Sequence, residues 1–278
     1  MFLLVVGDDT LDLDDPDAGY AIQSVELGAP STRDVSNDRP NSDGNYDQTA
    51  YVGARAVTVT VEVLPGPTSR QTLIDQVARF LHPRSRIDLL LDTERGGPVR
   101  RLRVRPDQFS APMEAPWHVA MSLGFKTVGT PFLTGLNVNQ LALAPLADED
   151  GVAFDWTFDL VFPGSLSSTV IVTNAGDQPA HWTCRIYGPV TGPRIRNETL
   201  GLQVSFPTLT IAAGSYVDVS SENRTALADG VSSRYSFLDF VGTTWWLLEP
   251  GDNAITLPTS VHDAPAQAQI SWLDTYLV

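Results

Sequence analysis

The chain has 278 residues, 42% of them hydrophobic, and sets 18 basic against 33 acidic side chains for a net charge of −15. That length buries a sizeable core and predicts two domains. The acidic excess repels phosphate backbones and anionic lipid, so neither nucleic acid nor membrane is an expected partner. Cys184 is the one cysteine, which excludes an internal disulfide, and its apolar surroundings predict an inert buried thiol. Lys126 is the only lysine, an arginine bias that fits a GC-rich genome.

Residues 1–6 are apolar but lack a basic lead, and the run stops at Gly7, so they read as a strand rather than a signal segment. No later apolar run approaches a membrane span, which predicts a soluble protein. Residues 8–17 hold six aspartates without the Asp-x-Asp-x-Asp-Gly order and closing Glu of a calcium loop, so a solvated acidic loop is expected. Residues 21–27 form a strand ended by Gly28-Ala29-Pro30, and the turn-rich stretch 31–47 predicts a long exposed loop. Val57, Val59, Val61 and Val63 alternate with Thr58, Thr60 and Glu62, the clearest strand signal in the chain. After Pro65-Gly66-Pro67, Thr68 and Gln71 make a capping box. Leu73, Val77, Ala78 and Leu81 then line one face, so a single helix is predicted near 69–82, closed by His82-Pro83.

Strands at 87–91 and 99–104 follow, joined by a hairpin loop over 93–98. Arg100, Arg101, Arg103 and Arg105 crowd the second strand. They read either as a patch for phosphate or an acidic partner, or as a solvated face that resists edge pairing. The acidic total favours contact with an acidic surface of another chain, a neighbouring copy included. Trp117, Val119, Met121, Leu123 and Phe125 alternate in a further strand. Gly129, Pro131, Gly135 and Pro145 interrupt 127–151, where a linker is expected. The division is therefore into 1–150 and 151–278, with the boundary inside 127–165.

In the second half, Phe154, Trp156, Phe158 and Leu160 alternate with Asp155, Thr157 and Asp159 as a half-buried strand. Residues 170–172 stop at Asn174-Ala175-Gly176-Asp177, read as a turn that needs positive φ, and 182–187 stop at Gly188-Pro189. Further strands are expected at 202–206, 209–211, 216–219, 245–248, 254–257 and 266–272, with a hairpin turn at Asp229-Gly230. Short strands at regular spacing without a helix predict a β-sandwich.

Catalytic chemistry finds no anchor. His82, His118, His181 and His262 lack metal-ligand spacing, Ser165, Ser167 and Ser168 lack a nucleophile elbow, and no Gly-rich phosphate loop occurs. The expectation is a non-enzyme with no catalytic, cofactor or metal residues. Trp245 and Trp246 are neighbours on one strand and must face opposite sides, which leaves one of them as an exposed aromatic contact. With Trp182, Tyr187 and Tyr235 they are candidates for stacking a glycan, which makes a carbohydrate-binding module for host-surface attachment the alternative function.

The order of these pieces resembles the siphovirus distal tail protein family, also called siphovirus-type tail component or phage minor tail protein. In the second half the resemblance rests on residues 172–177 (Val-Thr-Asn-Ala-Gly-Asp) with Pro179, on Ile186-Tyr187-Gly188-Pro189, on Ile211-Ala212-Ala213-Gly214 with Asp218, and on Asp229-Gly230. Residues 245–253 (Trp-Trp-Leu-Leu-Glu-Pro-Gly-Asp-Asn) and the late Trp272, Tyr276 and Leu277 extend it. In the first half it rests on Asp43-Gly44, Asp47, Gly53-Ala54-Arg55, the valine strand and the capped helix. The segments 8–17 and 129–151 have no counterpart in that pattern. The resemblance implies a mainly β chain with one helix: an N-terminal split-barrel-like ring domain followed by a galectin-like β-sandwich. It also implies a virion protein, assembled in the host cytoplasm, that forms a hexamer at the distal end of the tail. There it would connect the tail tube to baseplate hub or tail-tip proteins.

Overall fold

The structure, a computed structural model, describes residues 1–33, 43, 51–92, 97–115, 118–147, 169–263 and 265–278. The strand expected at 154–160, Ser165, Ser167, Ser168, Trp117 and most of the 31–47 and 93–98 loops lie outside the described residues. The chain divides into two compact units, one of Met1–Leu136 with Leu277–Val278 and one of Asn137–Tyr276.

The first unit contains β1 (Phe2–Val6), β2 (Asp9–Asp12), β3 (Tyr20–Arg33), β4 (Tyr51–Val63), α1 (Arg70–Phe80), β5 (Ile87–Asp92), β6 (Val99–Ser110), β7 (Met113–Ala115), β8 (His118–Thr127) and β9 (Leu133–Gly135). Its main antiparallel sheet runs β2-β1-β5-β6-β8-β4-β3 and, among the described residues, does not close into a barrel. The valine alternation dictates the geometry. Val57, Val59, Val61 and Val63 are buried while Thr58, Thr60 and Glu62 stay on the outer side. Val119, Met121, Leu123 and Phe125 of β8 pair alongside and complete the same apolar face. Leu73, Ile74 and Val77 of α1 are buried in the core, and the Tyr20 hydroxyl donates to the Leu73 carbonyl at 2.9 Å.

Three local expectations change here. The helix is capped by Ser69, whose hydroxyl accepts from the Thr72 amide at 3.2 Å, and not by Thr68. Gln71 then sits inside the first turn and its amide donates to Asp75, one turn on, at 2.9 Å. The strand expected to end at Gly28 continues to Arg33, with register shifts on both sides of Pro30. An edge strand tolerates proline at such an irregularity because the missing N–H breaks no regular ladder. Finally, the acidic segment is partly a hairpin: β2 folds onto β1 across Gly7 at φ +62°. The Asp12 carboxylate accepts from the Phe2 and Asp14 amides, and Asp15 from those of Asp17 and Ala18.

The second unit contains β10 (Asn139–Leu143), β11 (Pro145–Ala147), β12 (Val170–Asn174), β13 (Trp182–Tyr187), β14 (Val190–Thr191), β15 (Arg194–Asn197), β16 (Leu202–Ser205), β17 (Thr210–Ile211), β18 (Tyr216–Ser220), β19 (Thr225–Ala228), β20 (Ser232–Ser233), β21 (Gly251–Thr259), β22 (Val261–His262), β23 (Gln267–Trp272) and β24 (Thr275–Tyr276), with a 3₁₀ turn at Tyr235–Phe237. One sheet runs β10-β23-β13-β18-β19-β20, and another runs β11-β21-β15-β16 with β12 on β21. Trp182, Cys184, Ile186, Val204, Ile255 and Ile270 belong to one buried cluster fed by both sheets, which makes the predicted sandwich.

The segment read as a linker therefore holds β9, β10 and β11, strands too short for a periodic signal. Residues 245–248, expected as a strand, make a single bridge, Ala180 with Leu248, in place of a ladder. The Asp229-Gly230 turn is as expected, with both residues at positive φ (48° and 74°) and the Val231 amide donating to Ala228. Gly176 is needed for another reason than the one read from the sequence. It is not among the positive-φ glycines; a Cβ at this position would overlap the Thr275 carbonyl oxygen.

Candidate interaction surfaces

The four arginines of β6 are divided by strand alternation. Leu102 and Val104 point into the core, so Arg100 shares their side while Arg101, Arg103 and Arg105 lie on the opposite face. Arg100 donates to the Val278 carbonyl. Arg103 forks onto Asp88 of β5 at 2.9 and 3.3 Å. Arg105 is exposed opposite Lys126, whose charge is met by Asp107 at 3.0 Å.

Arg55 is a buried cation that sequence reading noticed only as part of a short motif. It is 1% exposed; its amide donates to the Thr127 hydroxyl at 2.8 Å and its Nη2 to the Leu277 carbonyl at 2.6 Å. Burial holds its guanidinium below the usual arginine range. A signal was available: position 55 has the same parity as the four buried valines of β4.

The tryptophan pair is not a shared surface. Trp246 is 2% exposed, lying 4.4 Å from Trp182 in the core, and its carbonyl accepts from the Trp182 indole at 3.0 Å. It is closed off as a contact residue. Trp245 is half-buried against the same cluster. Tyr235 and Phe240 meet edge to face at 5.6 Å, and beside them Val241 is 98% exposed on a turn held by the Asp239 carboxylate.

Cys184 is fully buried and burial pushes its thiol up, so it is unreactive. Burial pushes the His181 imidazole down. His262 contacts the Thr259 hydroxyl at 3.0 Å and His82 accepts from the Arg84 amide at 3.2 Å. Among the described residues no group of three or more His, Cys, Asp and Glu gathers to hold a metal ion.

On the outer face of β13 and β18, sequence reading named Tyr187 as a stacking candidate but missed the cluster that Arg185, Asp218 and Tyr216 make around it. Register sets Arg185 opposite Asp218 and Tyr187 opposite Tyr216. Arg185 forks onto Asp218 through Nε at 2.7 Å and Nη2 at 2.9 Å, and its guanidinium carbon lies 4.2 Å from the centre of the Tyr216 ring. The hydrogen bond to Asp218 holds that guanidinium charged even more firmly than usual. Tyr187 and Tyr216 have ring centres 6.1 Å apart. Each residue falls on the solvent side of a strand, where no apolar periodicity marks it.

Residues 175–276 match the model of the siphovirus-type tail component, C-terminal domain. The crystal structure of the SPP1 Dit (gp 19.1) protein, described as a paradigm of hub adsorption apparatus in Gram-positive infecting phages, matches with a TM-score of 0.65 and 14% identity over 99% of each chain. Chains of the phage P2 baseplate in its activated conformation, with Ca and with Sr, match at 10% identity and a TM-score of 0.49, over 98% and 97% of each chain respectively. No curated protein matches. Residues 175–276 are therefore similar to the siphovirus-type tail component C-terminal domain, and the chain as a whole shares the fold of the SPP1 Dit protein.

Proposed function

We propose that the protein is a structural part of a phage virion that assembles as a hexameric ring at the distal end of the tail and joins the tail tube to baseplate hub or tail-tip proteins. The observation that carries this reading is a tail-component domain at 175–276 set in a fold shared along 99% of SPP1 Dit, a protein described as a hub paradigm. Physical features of the first unit support it. A ring closes through heterologous contacts, so each subunit must present two unlike complementary surfaces. Among the described residues the sheet path ends in two unlike strands, the four-residue acidic β2 and the 14-residue β3. Arg101 and Arg105, flanking the Asp88-paired Arg103 on the outer face of β6, offer charge to an acidic neighbour in a chain whose balance is −15. On this reading the first unit builds the ring, and the second offers surfaces such as the Phe240-Val241 turn to other tail proteins.

Light scattering on a sizing column, with negative-stain images of the peak, tests it. A closed six-fold ring, or two such rings back to back, is the expected result. A monomer at every concentration, alone and with tail-tube and hub proteins added, overturns it.

A further inference from the structure

The outer face of the sandwich around Arg185 has a composition that packing does not require. Across β18, β13 and β23 the register aligns Asp218, Arg185 and Gln269 in one row and Tyr216, Tyr187 and Gln267 in the next. Ser220, Thr183 and Ser271 form the row beyond. Gln269 continues sideways, donating to Gln140 of β10 at 2.8 Å. All of these side chains lie on the side opposite the buried Cys184, Ile186, Val217, Val219 and Ile270.

The charge on these three rows sums to zero, one arginine against one aspartate, in a chain that carries −15. A cationic or anionic partner would find no excess to meet. What the face offers instead is two half-exposed aromatic rings, flat amides and a fixed ion pair. The pair is only partly consumed. Arg185 has five N–H groups and commits two to Asp218 and a further contact to the Tyr187 hydroxyl, which leaves donors in hand, while both carboxylate oxygens keep acceptor capacity. Donors and acceptors side by side suit vicinal hydroxyls, each of which both gives and takes a hydrogen bond. Tyrosine rings suit the apolar C–H face of a pyranose. The site is also pre-ordered, because the fork to Asp218 and the stacking on Tyr216 already fix the long Arg185 side chain, so little rotamer entropy remains to be lost on binding.

We infer that this face is a binding platform for a neutral oligosaccharide, with Arg185 and Asp218 reading hydroxyls, Tyr187 and Tyr216 stacking a ring, and Gln267 and Gln269 at the border. The assignment stands apart from ring assembly, which concerns the first unit.

The test is an NMR titration of the full-length protein with maltotetraose, N-acetylchitotetraose and lacto-N-neotetraose, with a sulfated tetrasaccharide as the anionic control. The expected result is that at least one neutral probe shifts the Arg185 Nε–H signal and the amides of 183–187 and 216–220. The isosteric Asp218→Asn and the ring deletion Tyr187→Ala should each then weaken binding about tenfold. Gln269→Ala, at the border, should weaken it by a few fold and keeps the test open if a central variant fails to fold. The assignment is overturned if no neutral probe binds in the millimolar range, if the shifts map to another surface, if the sulfated probe binds best, or if folded variants bind like the parent. It is equally overturned if the variants leave sugar binding unchanged but weaken association with another tail protein, which would make the face a protein interface. None of these outcomes changes the ring mass read by light scattering, so the two readings fail separately.

Discussion

Neighbouring tryptophans make unequal contributions when only one of them reaches the core. Trp246 fills the core against Trp182, whereas Trp245 keeps part of its ring in solvent. Trp246→Ala should cost about 3–5 kcal/mol in chemical denaturation, and Trp245→Ala visibly less; equal midpoints would contradict this placement. Sequence alternation showed that the two must differ. It did not show which is inside, because that depends on the Trp182 ring, brought close only by the fold. His181 makes a second residue-level prediction. Its imidazole is held below 6.5 by burial, so between the folded value and 6.5 the unfolded chain binds more protons than the folded one. Stability therefore rises with pH through that window and is lost on acidification below about 6.5. Melting temperatures of the parent and of His181→Gln should diverge between pH 7.5 and 5 in that sense, and parallel curves would remove His181 as the cause. Arg185 and Asp218 were illegible for a different reason: an ion pair across two strands leaves no trace in either strand's own pattern.

Elements with strong local periodicity were readable, and elements defined by contact were not. The valine alternation of β4 and the apolar stripe of α1 announce themselves because side chains one period apart share a face. The cap was misplaced by one residue, since Thr68 and Ser69 both carry a capping hydroxyl and the Gln71 three residues on favoured Thr68. Ser69→Ala should destabilise the first unit by about 1 kcal/mol, with Thr68→Ala close to neutral. The reverse order would restore Thr68 as the cap. Strands of two or three residues such as β9, β11 and β14 are held by neighbours rather than by propensity, so a single sequence shows only their turns. Gly176 illustrates the same limit, its constraint lying on Thr275, about a hundred residues away. Gly176→Ala should cost about 1–3 kcal/mol by overpacking, and an unchanged denaturation midpoint would refute the close approach.

On the scale of the molecule, the second unit is an insertion within the first, since Leu277–Val278 rejoin Met1–Leu136 after Asn137–Tyr276. Length led to the expectation of two domains, at 1–150 and 151–278, whereas the compact units divide between Leu136 and Asn137. The return of the last residues was not legible, because two residues carry no pattern of their own. Their weight falls on Arg55, which is buried and relies on the Leu277 carbonyl. Removing residues 277–278 should lower the melting transition of the first unit, at a cost of about 1–3 kcal/mol for the orphaned guanidinium, and leave that of the second in place. A calorimetric trace in which neither transition moves would deny Arg55 this role. The same threading sets an order in time. A ribosome must polymerise the whole inserted unit before the residues that satisfy Arg55 emerge, so a prematurely terminated nascent chain carries a first unit that is still incomplete.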